Sequence, residues 1–435
     1  MVKLGREFQK NFRTVTAIND ILQEDSSLAL RHFHDAVVKF NGDQNQENGE
    51  AAEFFAKASI RAFLGHVDGI GFALRRVAAQ CADEAGLSIP PKKLAELKER
   101  RYDPATDSIL GEEKRLFTEA SIKVAITWFP KLFGSDFRLD TDGEGWRGFK
   151  RLIRVRNDFT HPKRLEHLFP VAAFPAIQPT IVWFLVQMRN MFADCGSKLG
   201  IAMPPLEEVV LEYPYKEAKY PIATVFSEQD IAAIQNVGAR TMKYVELMLM
   251  KSSRDVNRAL ALIDTRSPIH SHRYQYAARN AVRALFSEVE TRTGGAMFFI
   301  EAAEMRGEIR LSDVERRSLS EGEIEDKLVA ALTIFSREFG NDYIPETTGE
   351  LWKQFRGARF LRDRLTHPKE PLNLKMDPRT TLEFLRAAQY FTNTSDAFRL
   401  DPYKCLSKAG LLETIVAEEA ADQEENIEDQ LDQGE

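Results

Sequence analysis

Cysteine is scarce: there are three, at positions 81, 195 and 405. The number is odd and no two are closely spaced, which excludes a disulfide framework or a four-cysteine zinc site and fits a reducing compartment. Long apolar runs are missing too. The longest strongly apolar stretch, residues 181–186, is far too short to cross a bilayer, and MVKLGREFQKNF at the start lacks the apolar core of a secretory signal. A soluble cytoplasmic protein without a membrane partner is therefore expected. Phosphate loops and serine-hydrolase elbows are absent: Gly65, Gly69 and Gly71 have no strand before them and no Gly-Lys-Ser/Thr after them. His32 with His34, and His270 with His272, are spaced at i and i+2, so a helix would point each pair to different faces. No metal or other cofactor is expected.

What is present is a soluble, globular composition, with 43% apolar and 29% charged residues over 435 positions. That length admits two or three domains. The net charge of −7 is unevenly distributed. Residues 413–435 hold ten Asp or Glu and no Lys or Arg, so the remaining body has 59 basic against 56 acidic residues, a net of +3. Such a tail is too polar and like-charged to pack and is expected to be disordered. It is a solvated extension, or a mimic of nucleic acid that shields a basic cleft.

The chain also repeats itself. Trp146-Arg-Gly-Phe149 through Arg156-Asn-Asp-Phe-Thr-His161-Pro-Lys163 recurs 206 residues later as Trp352-Lys-Gln-Phe355 through Arg362-Asp-Arg-Leu-Thr-His367-Pro-Lys369. The match extends upstream, Ala125-Ile-Thr127 and Phe133-Gly134 aligning with Ala331-Leu-Thr333 and Phe339-Gly340. An earlier segment, Ser59-Ile-Arg61-Ala-Phe-Leu64 with Asp68, matches Ala281-Val-Arg283-Ala-Leu-Phe286 with Glu290 at an offset of 222. The 16-residue difference reads as a loop inserted in the first copy, around Pro90-Pro91 and Asp103-Pro104.

Apolar residues recur at three- and four-residue spacing in 52–82, 113–133, 145–160 and 178–197, and again in 227–263, 273–292, 320–339, 348–366 and 378–397. The one short strand candidate is 209–213. The fold class expected is all-α, with two duplicated helical-bundle domains, residues 1–210 and 227–412, joined by a linker at 211–226 and followed by the acidic tail.

The repeated helix carries the chemistry. Phe149, Leu152, Arg156 and Phe159 fall within an arc of roughly 80°, and Phe355, Ala358, Arg362 and Leu365 repeat the stripe. An arginine on a core-facing stripe needs a partner, and the matched acids Asp68 and Glu290 are candidates. Pro162 and Pro368 disfavour helix at the residue before them, so His161 and His367 sit at helix ends. Asn157 and Asp363, four residues upstream, are close enough to orient the imidazoles. Residues 146–167 hold seven Lys or Arg against two acids, and residues 352–373 six against two. Histidine, inward arginine and a basic rim suit a phosphodiester. Arg156 and His161 are five apart, about 140° around an ideal helix, so they converge only through distortion, a long reach or two copies sharing one groove.

Arg156-Asn157…His161 and Arg362-Asp363…His367 resemble the signature of HEPN domains, in which an arginine, often followed by Asn, Asp or His, precedes a histidine by a few residues. That resemblance implies small helical bundles whose paired motifs meet in one cleft; here the pair would form an intramolecular pseudo-dimer. It implies a metal-independent endoribonuclease, with RNA as substrate and a possible antitoxin or regulatory protein as partner, in antiviral defence or a toxin–antitoxin system. Carried over by residue, His161 and His367 transfer protons, Arg156 and Arg362 bind the scissile phosphate, and Asn157 and Asp363 orient the histidines. Lys163, Lys369, Arg61 and Arg283 are further candidate RNA contacts. Lys163 and Lys369 stand where an AMPylated subfamily has tyrosine. Two other readings remain: a non-catalytic HEPN-type module that binds RNA, nucleotide or protein, and an interaction protein whose Arg-His pairs tie helices together.

Overall fold

The structure is a computed structural model that describes residues 6–114, 116–160, 173–202, 254–263, 267–305, 307–399, 401 and 404. The 211–226 linker, the 209–213 strand candidate and the acidic tail lie outside the described residues. The fold is predominantly α-helical, and among the described residues no helix is long and apolar enough to cross a membrane.

The chain opens with α1 (Arg6–Gly42), a helix that matching of the repeats passes over. Phe8, Phe12, Val15, Ile18 and Leu22 recur at three or four residues and are all buried, which is why this stretch is helical and docked. A three-residue connection, ending in the Asn45 cap that accepts a bond from the Asn48 amide at 2.9 Å, leads to α2 (Gln46–Cys81). So short a link folds α2 back along α1.

The inserted stretch is more than a loop. It forms α3 (Pro91–Leu97), started by Pro90-Pro91, and a hairpin of β1 (Arg100–Asp103) and β2 (Ser108–Glu113). The strands pair antiparallel, Tyr102 opposite Ile109, and Asp107 turns the chain at φ 48°. Among the described residues this two-stranded sheet is the exception to the all-α expectation.

Then follow α4 (Thr118–Trp128), α5 (Glu144–Thr160) and α6 (Phe174–Lys198). The second half contains α7 (His272–Met305), α8 (Asp313–Ser320), α9 (Ile324–Phe339), α10 (Glu350–Thr366) and α11 (Pro378–Ala397). Helices matched in sequence have matched neighbours: α2 packs on α4 and α5 on α6, as α7 packs on α9 and α10 on α11. Their aromatic joints correspond as well. Trp146 meets Phe149 and Trp183 at 4.9 and 6.1 Å, and Trp352 meets Phe355 and Tyr390 at 5.8 and 5.2 Å.

The halves share one apolar core that runs from Phe8 to Phe391. Polar ties cross it. Asp25 of α1, fully buried, accepts two bonds from Arg279 of α7, at 2.9 and 2.6 Å, and one from Arg283 at 3.0 Å. Residues 254–261 are helical and bind α2 through Arg258–Glu50 at 2.6 Å and Asp255–Lys57 at 3.3 Å.

Candidate functional site

The ends of the two repeated helices cross over to the opposite half. At the end of α5, the Phe159 carbonyl accepts a 3.1 Å bond from Thr291 Oγ1 of α7. At the end of α10, the segment His367–Lys369 lies along α2. There it meets Phe72 and Arg76, which with Asp68 are spaced four apart and therefore form one stripe on that helix. The Phe72 and His367 rings are 5.0 Å apart, and Arg76 Nη1 donates to the Lys369 carbonyl at 2.9 Å. Gly69, on the same turn, is packed closely by α1: a β-carbon there would sit 2.9 Å from Leu22 Cδ1 and at an ordinary contact distance of 3.5 Å from the Pro368 ring.

Both helix ends are built alike. Thr160 Oγ1 bonds the Arg156 carbonyl at 2.6 Å, and Thr366 Oγ1 bonds the Arg362 carbonyl at 2.9 Å. The His367 amide closes α10 on the Asp363 carbonyl at 2.8 Å, as expected for a residue forced out of the helix by Pro368. His161 and Lys163 lie outside the described residues.

Asp68 is the meeting point. Its carboxyl is pushed above the ordinary carboxylate range by burial. Arg156, a hydrogen bond with Thr118, His367 and Arg75 act in the opposite direction. Those four groups come from α5, α4, the segment after α10, and α2 itself. An arginine of the first motif and the histidine of the second therefore both act electrostatically on one carboxyl group. Arg75 is in turn engaged by Glu99 at 3.0 Å.

The other expected residues divide. Asn157 and Lys369 are exposed, and Asp363 is partly exposed, 3.6 Å from Arg362. Arg362 is ion-paired with Glu290 at 2.6 Å. Arg61 is buried, paired with Asp255 at 3.3 Å and Glu288 at 3.7 Å, and lies over the Phe159 ring at 5.6 Å. Arg283 is held by Asp25 at 3.0 Å. In this conformation neither Arg61 nor Arg283 presents its guanidinium to a phosphate, because burial and carboxylates already engage both. The repeat comparison does not single out Phe72, Arg76 or Thr118. Four-residue spacing from Asp68 marks the first two, and nothing local marks Thr118.

Among the described residues no group of three or more His, Cys, Asp or Glu side chains is placed to hold a metal ion. Comparison of the chain with family models, curated proteins and solved structures finds no match.

Proposed function

We propose that this chain is a metal-independent endoribonuclease of HEPN type, two duplicated helical bundles acting as an intramolecular pseudo-dimer, with a cytoplasmic role in antiviral defence or a toxin–antitoxin system. The observation that carries the reading is the packing of His367 on Phe72, one turn along α2 from Asp68, whose carboxyl both His367 and Arg156 of the other repeat act on electrostatically. The resemblance in the motifs supplies the reaction class. The exposed Arg147, Arg151 and Arg154, at three- and four-residue spacing along α5, supply a positive ridge for a polyanion.

In the reaction, the ribose 2′-hydroxyl gives its proton to an imidazole and attacks the adjacent phosphorus. The bond from 2′-oxygen to phosphorus forms and the bond to the 5′-oxygen breaks. A protonated group returns a proton to the leaving 5′-oxygen. The products are a 2′,3′-cyclic phosphate and a 5′-hydroxyl. Imidazole is the side chain whose ordinary titration range suits such a transfer. A guanidinium stabilises charge on the non-bridging oxygens.

The test is incubation of the purified protein with labelled RNA in excess EDTA, against the His161→Ala/His367→Ala variant. Cleavage by the wild type alone is expected. Cleavage by both, or its loss with EDTA, rejects the mechanism. A second reading, a non-catalytic module, draws on the Arg362–Glu290, Arg61–Asp255 and Arg283–Asp25 pairs, which tie helices together without any ligand. That module binds partners equally well after both histidines are replaced.

A further inference from the structure

The two motif arginines occupy matched positions in different surroundings. Arg362 Nη2 is 2.6 Å from Glu290, and the guanidinium lies over the Phe286 ring at 5.9 Å. The Arg156 side chain has no ion pair or hydrogen bond among the described residues, and its Nε is shielded from solvent. The acids that face them, Asp68 and Glu290, align at the offset of 222 and differ by one methylene. The longer acid closes on its arginine. The shorter one makes no ion pair with Arg156 among the described residues. A phosphate that approached Arg362 would have to displace a carboxylate, whereas at Arg156 it would satisfy a guanidinium that no carboxylate among the described residues has closed on.

A separate set of contacts shows the same asymmetry. On α10, Arg356 is 3.5 Å from Asp326, and Arg359 pairs with Glu323 and lies 3.6 Å from Glu325. Glu323 and Asp326 stand where the first copy has Phe117 and Ala120. On α5, Arg151 and Arg154 are exposed, and the Arg147–Glu144 pair is open to water, with side chains 64% and 94% exposed. Solvent screening leaves such a pair weak. Arg356 and Arg359 of α10 are therefore more heavily paired with acids than Arg147 and Arg154 of α5.

We infer that the chain has one working phosphodiester site instead of two, in which Arg156 of the first repeat takes the phosphate and His367 of the second moves the proton, while Arg362 is a structural ion-pair partner of Glu290. The identity of the ligand rests on the nuclease reading above; the asymmetry rests on the contacts alone.

The experiment uses the full chain and a fluorescent, uncleavable 2′-O-methyl RNA oligonucleotide, with affinity read by anisotropy and stability by thermal unfolding. Arg156→Ala is expected to weaken binding roughly tenfold with little change in Tm. Arg362→Ala is expected to lower Tm and to change affinity less than about twofold. Asp68→Glu, which gives the first acid the reach of Glu290, is expected to weaken binding as Arg156→Ala does. If Arg362→Ala fails to fold, Glu290→Asp takes its place, with unchanged affinity expected. Equal loss of affinity in the Arg156 and Arg362 variants, or no effect of Asp68→Glu, overturns the inference. A wild type that does not bind the RNA overturns the nuclease reading instead. The asymmetry is then judged on Tm, where equal losses from the two arginine variants overturn it.

Discussion

Replacing Asp25 tests whether the halves are locked by charge as well as by apolar packing. Its side chain is fully buried, bidentate to Arg279 and bonded to Arg283. Asp25→Asn keeps the shape and removes the charge, leaving two guanidinium groups whose side chains are only 5% and 12% exposed. Breaking a buried pair from one side costs about 3–5 kcal/mol. Arg279 keeps its 2.8 Å bond to the Leu374 carbonyl, which places the expectation toward the lower end of that range. Urea unfolding at pH 7 measures it. The two arginines hold the Asp25 carboxyl below the ordinary carboxylate range, against the effect of burial. Its contribution is therefore complete above the unfolded value and lost as pH falls through the folded one, so the gap between wild type and variant should stay constant from about pH 7 to 5 and close below about pH 4. A gap under about 1 kcal/mol at pH 7, or one that widens on acidification, would refute the reasoning.

Three further outcomes are expected. His66 is fully buried, 3.0 Å from Asn19, and burial depresses its pKa to about 3, so the folded state resists a proton that the unfolded chain accepts. The penalty is absent above the unfolded pKa and grows as pH falls; between pH 7 and 5, urea unfolding should show the wild type losing about 2 kcal/mol more than His66→Gln. Gly357 lies within α10, where an added β-carbon would meet no atom within 4 Å, so Gly357→Ala should raise stability by about 0.5–1 kcal/mol in thermal unfolding, and a loss would contradict the open site. Replacing Arg147, Arg151 and Arg154 together with alanine should reduce the slope of log Kd for single-stranded RNA against log salt by about 2, and an unchanged slope would remove the α5 ridge from the interface.

Much of the architecture is legible in the sequence because long helices with repeated aromatic joints leave a strong period. The segments 145–160, 348–366 and 378–397 fall within about two residues of α5, α10 and α11. The misses have physical causes. The stripe of α1 has no counterpart in the repeat alignment, so reading by repeats passes over Phe8, Phe12 and Val15. The hairpin at 100–113 is largely polar and exposed, and its Asp103-Pro104 turn reads as a loop when no apolar alternation flanks it. The acids facing Arg156 and Arg362 are recognisable as Asp68 and Glu290, but their different reach is not. The placement of His367 against α2 depends on the crossing of helix ends between halves, a long-range contact outside the reach of local periodicity.

The most direct measurement is a double-mutant cycle on the rate of RNA cleavage in EDTA, with Arg156→Ala, His367→Ala and the two combined. Groups that act on the same phosphate are strongly non-additive, so the double variant should be about as slow as the slower single one. Losses that multiply, as they would for residues in separate sites, would contradict the shared crevice at Asp68.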